Sequence, residues 1–241
     1  MNIKSVRDKL ANQHKNKEYV MVNKQLTVEL IGASFIANTD SIFGLANEDY
    51  IDRELMWYRS MSRNVNDIKG KVPKIWEIVS SPKGEINSNY GYLINHKDNF
   101  YQYKNVLETL KKDHNTRRAV MIYTNPKMHT QFNRKGMTDF VCTNTVQYVI
   151  RQNKLSAIVQ MRSNDMFYGL TFDAPFFSFL HQSVYRLVWS KRMKNGGNAN
   201  DEVLELGNYY HFADNLHFYE RHFDLADKII DGDPTASIQG F

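Results

Sequence analysis

Phe140–Arg162 reads FVCTNTVQYVIRQNKLSAIVQMR. Branched and aromatic residues recur on both sides of a polar break. That predicts two strands, Phe140 to Arg151 and Leu155 to Arg162, joined by a turn at Gln152–Lys154. Leu26 to Ile36 (LTVELIGASFI) reads as another strand, Ala119 to Tyr123 (AVMIY) as a short one, and His211 to His222 as extended. Amphipathic spacing predicts helices over Val6 to Asn12, Asn47 to Met61, Tyr103 to Lys112, Ala174 to Met193 and Asp224 to Ile230. Gly232 stops the last of these, and Pro175 suits a first helical turn. The expected class is α+β around a sizeable sheet. With no repeat, Pro/Ser-rich linker or charge block, residues 1–241 read as one domain.

The chain has 241 residues, with 42% hydrophobic and 24% charged. This composition excludes a disordered protein and allows a large core. The 31 basic and 26 acidic residues leave a formal charge of +5, a mild excess that suits an anionic ligand such as phosphate. It is too weak to argue nucleic-acid binding, and none is expected. A lone cysteine excludes an intrachain disulfide framework and fits a reducing compartment. The N-terminal MNIKSVRDKLANQHKNKEY lacks the apolar core of a signal peptide, and no stretch is long and apolar enough to span a membrane. The expectation is a soluble, cytoplasmic protein.

Several residues could carry chemistry, each against a bland alternative. Cys142, placed mid-strand, is either a small core residue or a nucleophile needing a nearby cation, for which Arg117, Arg118 and Arg162 are candidates. The Arg117–Arg118 pair is either solvated or a phosphate fork. Arg162-Ser163-Asn164-Asp165 is a polar turn, or a phosphate grip by Arg162 and Ser163 that leaves Asn164 and Asp165 free for another ligand. Glu54 interrupts an apolar helical row of Tyr50, Trp57 and Met61, as a structural ion pair or as a proton-transfer group raised by burial. Asp173, placed just before a helix, is a cap or a ligand contact. His217 and Tyr219 share one face of an extended segment. The histidine spacing matches no zinc site, and no glycine-rich phosphate loop or dinucleotide fingerprint occurs, so no metal is expected.

Taken together, these segments resemble the thymidylate synthase family from about Ile31 to Phe223. The markers, in family order, are IGASFIA, REL-M-WY (Arg53–Tyr58), KGEINSNYG (Lys83–Gly91) and RRAVMIYT (Arg117–Thr124). They continue with CTNTVQY (Cys142–Tyr148), RSND (Arg162–Asp165) and LHFYERHF (Leu216–Phe223). Within the family the chain most resembles the branch of T-even-type bacteriophages that hydroxymethylates deoxycytidylate. The resemblance implies a large mixed sheet flanked by helices, with a sheet face forming a homodimer interface. It implies that Cys142 adds to C6 of a pyrimidine, activating C5 toward the one-carbon unit of 5,10-methylenetetrahydrofolate, and that Glu54 orders water and relays protons. Arg162 and Ser163 match phosphate ligands, with Arg117 and Arg118 reaching the phosphate across the dimer. His217 and Tyr219 match residues on the deoxyribose 3′-hydroxyl, and Gln147 a nucleotide-side glutamine. Trp76, Tyr90 and Asp165 lie in segments resembling the folate side and catalytic cavity. The family's N-terminal loop arginine has no counterpart, and Lys24 is the nearest cation for that phosphate contact.

Asp173 stands where the synthases carry Asn, and Thr143 where they usually carry His after the nucleophile. An amide answers the N3–H donor and O4 acceptor of uracil. A protonated Asp can donate to N3 and accept from N4 of cytosine, or a carboxylate can accept from a protonated N3 and N4 together. The expectation is therefore dCMP over dUMP, with water adding to the transferred carbon to give 5-hydroxymethyl-dCMP for phage DNA. The alternatives are a C5-methyltransferase on dCMP or dUMP, and a non-catalytic member of the fold binding nucleic acid or other phage nucleotide-synthesis enzymes.

Overall fold

Strand alternation and turn chemistry assemble the sheet. The computed structural model describes residues 1–43, 46–194 and 203–232. Among them the strands are β1 (Val20–Val22), β2 (Gln25–Ile36), β3 (Val120–Ile122), β4 (Thr143–Arg151), β5 (Lys154–Met161), β6 (Asn164–Asp165) and β7 (Glu205–Tyr219). They form one mixed sheet of order β1-β2-β7-β5-β4-β3, with β6 on β7. All pairs are antiparallel except β5 and β6 on β7. The β4–β5 turn is tighter than the sequence suggests. Gln152 and Asn153 alone hold left-handed φ of 49° and 55°, the two-residue geometry that matches strand twist.

The helices are α1 (Ile3–Lys15), α2 (Glu48–Ser60), α3 (Lys74–Val79), α4 (Tyr90–Asn95), α5 (Gln102–Lys112), α6 (Met128–Gln131), α7 (Leu170–Lys194) and α8 (Phe223–Ile230). The α2 and α5 bounds follow the apolar spacing closely. Asn47 caps α2 through its side chain, and Met61 closes it in a left-handed conformation. Three expectations shift. α1 is nearly twice the expected length, because the Asn2 side chain caps it at Ser5 N–H. The extended segment begins at Glu205 and ends at Tyr219, after which the chain tightens into a 3-10 turn. α7 starts four residues early, so Pro175 falls inside the helix and forgoes one backbone hydrogen bond. The short helices α3, α4 and α6 lack a long enough period to be read from sequence.

One sheet face is core: Val146, Tyr148, Ile150, Leu155, Ala157, Val159 and Met161 are buried against α7 residues Phe176, Phe177, Leu180, Val184 and Val188. The opposite face is partly open, with Ile122 and Phe212 among its exposed apolar residues. α2 and α4 cross so closely that a Cβ on Gly91 would lie 1.7 Å from the Tyr58 carbonyl oxygen. That crossing brings the aromatic rings of both helices over the mouth of the β4–β5 hairpin.

Candidate active site

Regular pairing stops at that mouth. The Arg162 backbone N–H donates to the Cys142 carbonyl at 2.9 Å. Its guanidinium donates to the carbonyls of Val141 (3.0 Å) and Phe140 (2.6 Å) and lies over the Phe140 ring. These bonds occupy the acceptors a longer ladder would use. Cys142 is therefore not mid-strand; it precedes β4 and is half-buried at its end. Arg162 Nη2 lies 3.5 Å from Sγ. Burial pushes the thiol up to about 11, and Arg162 pulls it back down. Of the three candidate cations, Arg162 is the one beside the sulfur.

Glu54 hangs from α2 into an aromatic enclosure and is 6% exposed. Tyr50, one turn before it, donates its hydroxyl to Glu54 Oε1 at 2.6 Å, and Trp76 Nε1 donates to that hydroxyl at 2.8 Å. Burial raises the carboxyl to about 7, while hydrogen bonds from Tyr50, Trp76 and Tyr58 hold it down. No structural ion pair accounts for this residue among the described contacts; the proton-transfer reading is the one its surroundings suit.

Asp173 lies in the first turn of α7, its N–H bonded to the Gly169 carbonyl at 2.9 Å, so the capping reading falls. Its carboxyl turns instead to Asn164, whose Nδ2 donates to Oδ2 at 2.8 Å. Burial and the nearby Glu54 charge raise it to about 8, against hydrogen bonds from Asn164 and Tyr90. Tyr90 is the hub between the groups. It stacks on Tyr58 at 5.3 Å and accepts a hydrogen bond from Thr143 Oγ1 at 2.9 Å. The charges of Asp173 and Cys142 both act on its hydroxyl.

His217 Nδ1 bonds Asn215 Oδ1 at 2.9 Å, and its ring meets Tyr219 edge-on at 4.9 Å. Burial lowers the His217 pKa, keeping the imidazole neutral. Tyr219 feels the charges of Asp165 and Cys142, which places it on the thiol's side of the sheet end. The RSND turn is not open, as the sequence suggests. Asn164 spends its Nδ2 on Asp173, while its Oδ1 is buried without a hydrogen-bond partner among the described residues. Asp165 Oδ1 accepts the N–H groups of Phe167 (2.8 Å) and Tyr168 (3.2 Å), and its Oδ2 pairs with Arg221 at 3.1 Å. Ser163 is half-buried at the bend after Arg162.

Within the chain, then, Cys142, Arg162, Tyr90, Asp173, Glu54, Trp76, Asp165, His217 and Tyr219 converge. Arg117, Arg118 and Gln147 do not join them. Gln147 faces outward from β4 and donates to the Arg117 carbonyl at 2.8 Å, with both arginines exposed at that edge. Lys24 is exposed on the two-residue turn between β1 and β2. Sequence reading missed Tyr50 and Tyr58 as parts of the site, although both stand one turn from Glu54. Among the described residues, no group of three or more His, Cys, Asp or Glu could hold a metal ion, and no helix is long and apolar enough to cross a membrane.

Residues 12–239 match the family model for thymidylate synthase. The chain is 42% identical over 230 residues to the deoxycytidylate 5-hydroxymethyltransferases of Enterobacteria phages T4 and T2, covering 94% of this chain and 90% of theirs. It is 26% identical over 191 residues to a thymidylate synthase of Francisella philomiragia, covering 75% of this chain and 65% of that one.

Proposed function

The chain belongs to the thymidylate synthase family, and from that premise we propose that it is a deoxycytidylate 5-hydroxymethyltransferase acting on dCMP. One observation carries the substrate choice. Asp173, held at about 8, is neutral at pH 7 and is braced through Oδ2 by Asn164. A neutral carboxyl offers one donor and one acceptor side by side, the complement of N3 and N4 of cytosine. Uracil presents the reverse pair, N3–H and O4, which a neutral carboxyl meets only with its proton on the other oxygen; the Asn164 amide donating to Oδ2 favours the proton on Oδ1, and the preference for cytosine rests on that bond.

Cys142 is read as the nucleophile. Its thiolate, formed beside Arg162, adds to C6, which places electron density on C5. Arg162 balances the sulfur's charge and, with Ser163, faces the phosphate. His217 and Tyr219 hold the deoxyribose. 5,10-methylenetetrahydrofolate supplies, when bound, a one-carbon unit at the oxidation level of formaldehyde. The chain's surface fits a flat ring system: half-buried Trp76 stands between Ile75 and Ile78, exposed at 43% and 61%. Asp165 is read as the polar contact there. Once C5 bonds to the carbon, Glu54 accepts the C5 proton through water. Departure of tetrahydrofolate leaves an exocyclic methylene on C5, hydroxide from a second water adds to it to complete the hydroxymethyl group, and the Cys142 thiolate leaves C6. Glu54 at about 7 is half-ionised near neutral pH, as a group that both takes and returns protons requires.

The outward sheet face, with exposed Ile122 and Phe212 and the Arg117–Arg118 edge, supports a homodimer in which each chain lends its arginines to the other's phosphate site. Residues 1–241 are read as one catalytic domain. The test uses dCMP and dUMP tritiated at C5 with 5,10-methylenetetrahydrofolate. Label release from dCMP, a hydroxymethyl nucleotide by mass and no dihydrofolate are expected. A methyl product with dihydrofolate overturns the water step, and preference for dUMP overturns the reading of Asp173.

A further inference from the structure

Arg221 is absorbed by none of the roles above, yet it is locked beside the site from three directions. Its Nη2 pairs with Asp165 Oδ2 at 3.1 Å, its Nη1 donates to Gln25 Oε1 at 3.2 Å, and its guanidinium lies 4.2 Å over the Tyr219 ring. The side chain is nevertheless 43% exposed. A surface ion pair of this kind contributes little to stability. Three anchors on one exposed arginine are more than such a pair needs. They cost rotamer entropy and leave the guanidinium pre-oriented.

The chemistry of the pair is directional. Asp165 Oδ1 is spent on two backbone N–H groups, so its remaining acceptor capacity is on Oδ2, against Arg221. Arg221 has five N–H donors, of which two are in the bonds named. An acceptor and a charged donor therefore stand next to each other on the rim of the site. Such a couple matches a lactam edge, N–H beside C=O, as on the pyrimidinone ring of a pterin. It mismatches a ring that lacks either group.

We propose that Arg221 is a cofactor-specificity residue: with Asp165 it reads the N3–H and C4=O edge of the tetrahydrofolate pterin. This rests on the function proposed above. The structural alternative is that Arg221 only pins the β1–β2 hairpin, through Gln25, to the end of β7.

The experiment titrates tetrahydrofolate into the dCMP-loaded chain by calorimetry, and dCMP into the free chain, for wild type and Arg221→Ala. Arg221→Gln, which keeps an N–H donor without the charge, is the second variant should the first melt early. The expected result is a roughly tenfold weaker tetrahydrofolate Kd, equivalent to about 1.4 kcal/mol. The dCMP Kd should change far less, since Arg221 touches the residues assigned to dCMP only through its contact with the Tyr219 ring. A second titration with a 4-amino-4-deoxy pterin, which lacks the C4 carbonyl, should show no penalty from losing Arg221. Unchanged tetrahydrofolate binding in both variants overturns the inference. So do equal losses for tetrahydrofolate and dCMP, the mark of a hairpin pin. A wild-type chain that binds dCMP but no tetrahydrofolate overturns it too, and a wild-type chain that does not bind dCMP overturns the proposed function beneath it.

Discussion

Asp173→Asn separates the protonation argument from everything else in the site. The ordinary Asp value is 3.8, and burial near Glu54 lifts this one to about 8. Between those values the folded chain holds a proton that the unfolded chain has released. Stability therefore falls as pH rises from about 4 to about 8, and the loss is complete above that window. A gap of about four pH units, at about 1.36 kcal/mol per unit, sets an upper limit on the order of 5 kcal/mol. An amide is nearly isosteric with the neutral acid and does not titrate. At pH 5, about one unit into that window, the variant should be the more stable of the two by about 1.6 kcal/mol, and at pH 9 the difference should grow to several kcal/mol. Glu54 titrates in both proteins, so its contribution largely cancels in the difference. Urea unfolding at the two pH values measures this, with dCMP and dUMP turnover followed in parallel. The variant should turn toward dUMP. Parallel pH dependence in the two proteins would mean that Asp173 is ionised at neutral pH, and the donor–acceptor account of cytosine would fail with it.

Tyr50→Phe removes the 2.6 Å donor to Glu54 and the acceptor of the Trp76 indole. Because that bond holds the Glu54 carboxyl down, the limb of the kcat–pH profile set by Glu54 should move upward from about 7; an unmoved limb would assign it to another group. Gly91→Ala drives a methyl to 1.7 Å from the Tyr58 carbonyl, forcing α2 and α4 apart. The expected loss is about 3 kcal/mol or more, read as a lower Tm and weaker dCMP binding as the Tyr58–Tyr90 stack moves. Chains carrying Arg118→Ala and chains carrying Cys142→Ser should each be inactive, and mixing them should restore part of the activity in hybrid dimers. No rescue at any ratio would count against sites shared between subunits.

Periodicity and side-chain chemistry alone determined a good deal. The α+β class, the β4–β5 hairpin and the bounds of α2 and α5 were legible; Cys142, Glu54, Arg162, Asp173, His217 and Tyr219 stood as candidates beside bland alternatives, and the family resemblance gave them roles. An apolar row with one carboxylate in it, or an aspartate where an amide is expected, is a local signal. What local signals cannot carry is how a side chain spends its hydrogen bonds. Asn164 and Asp165 look free in sequence because their neighbours are polar. In the fold Asn164 braces Asp173 from β6, and Asp165 answers Arg221, 56 residues away. Asp173 looks like a cap because Pro175 suggests a helix start. Only the Gly169 carbonyl, reached once α7 is packed, shows the turn already under way. Cys142 looks mid-strand because its residues alternate well, and only Arg162 on the facing strand ends the ladder there. The shifted protonation of Glu54, Asp173 and Cys142 belongs wholly to tertiary structure. Desolvation is a property of the groups that close around a residue, and here those are rings brought by α2, α3 and α4 from separate parts of the chain.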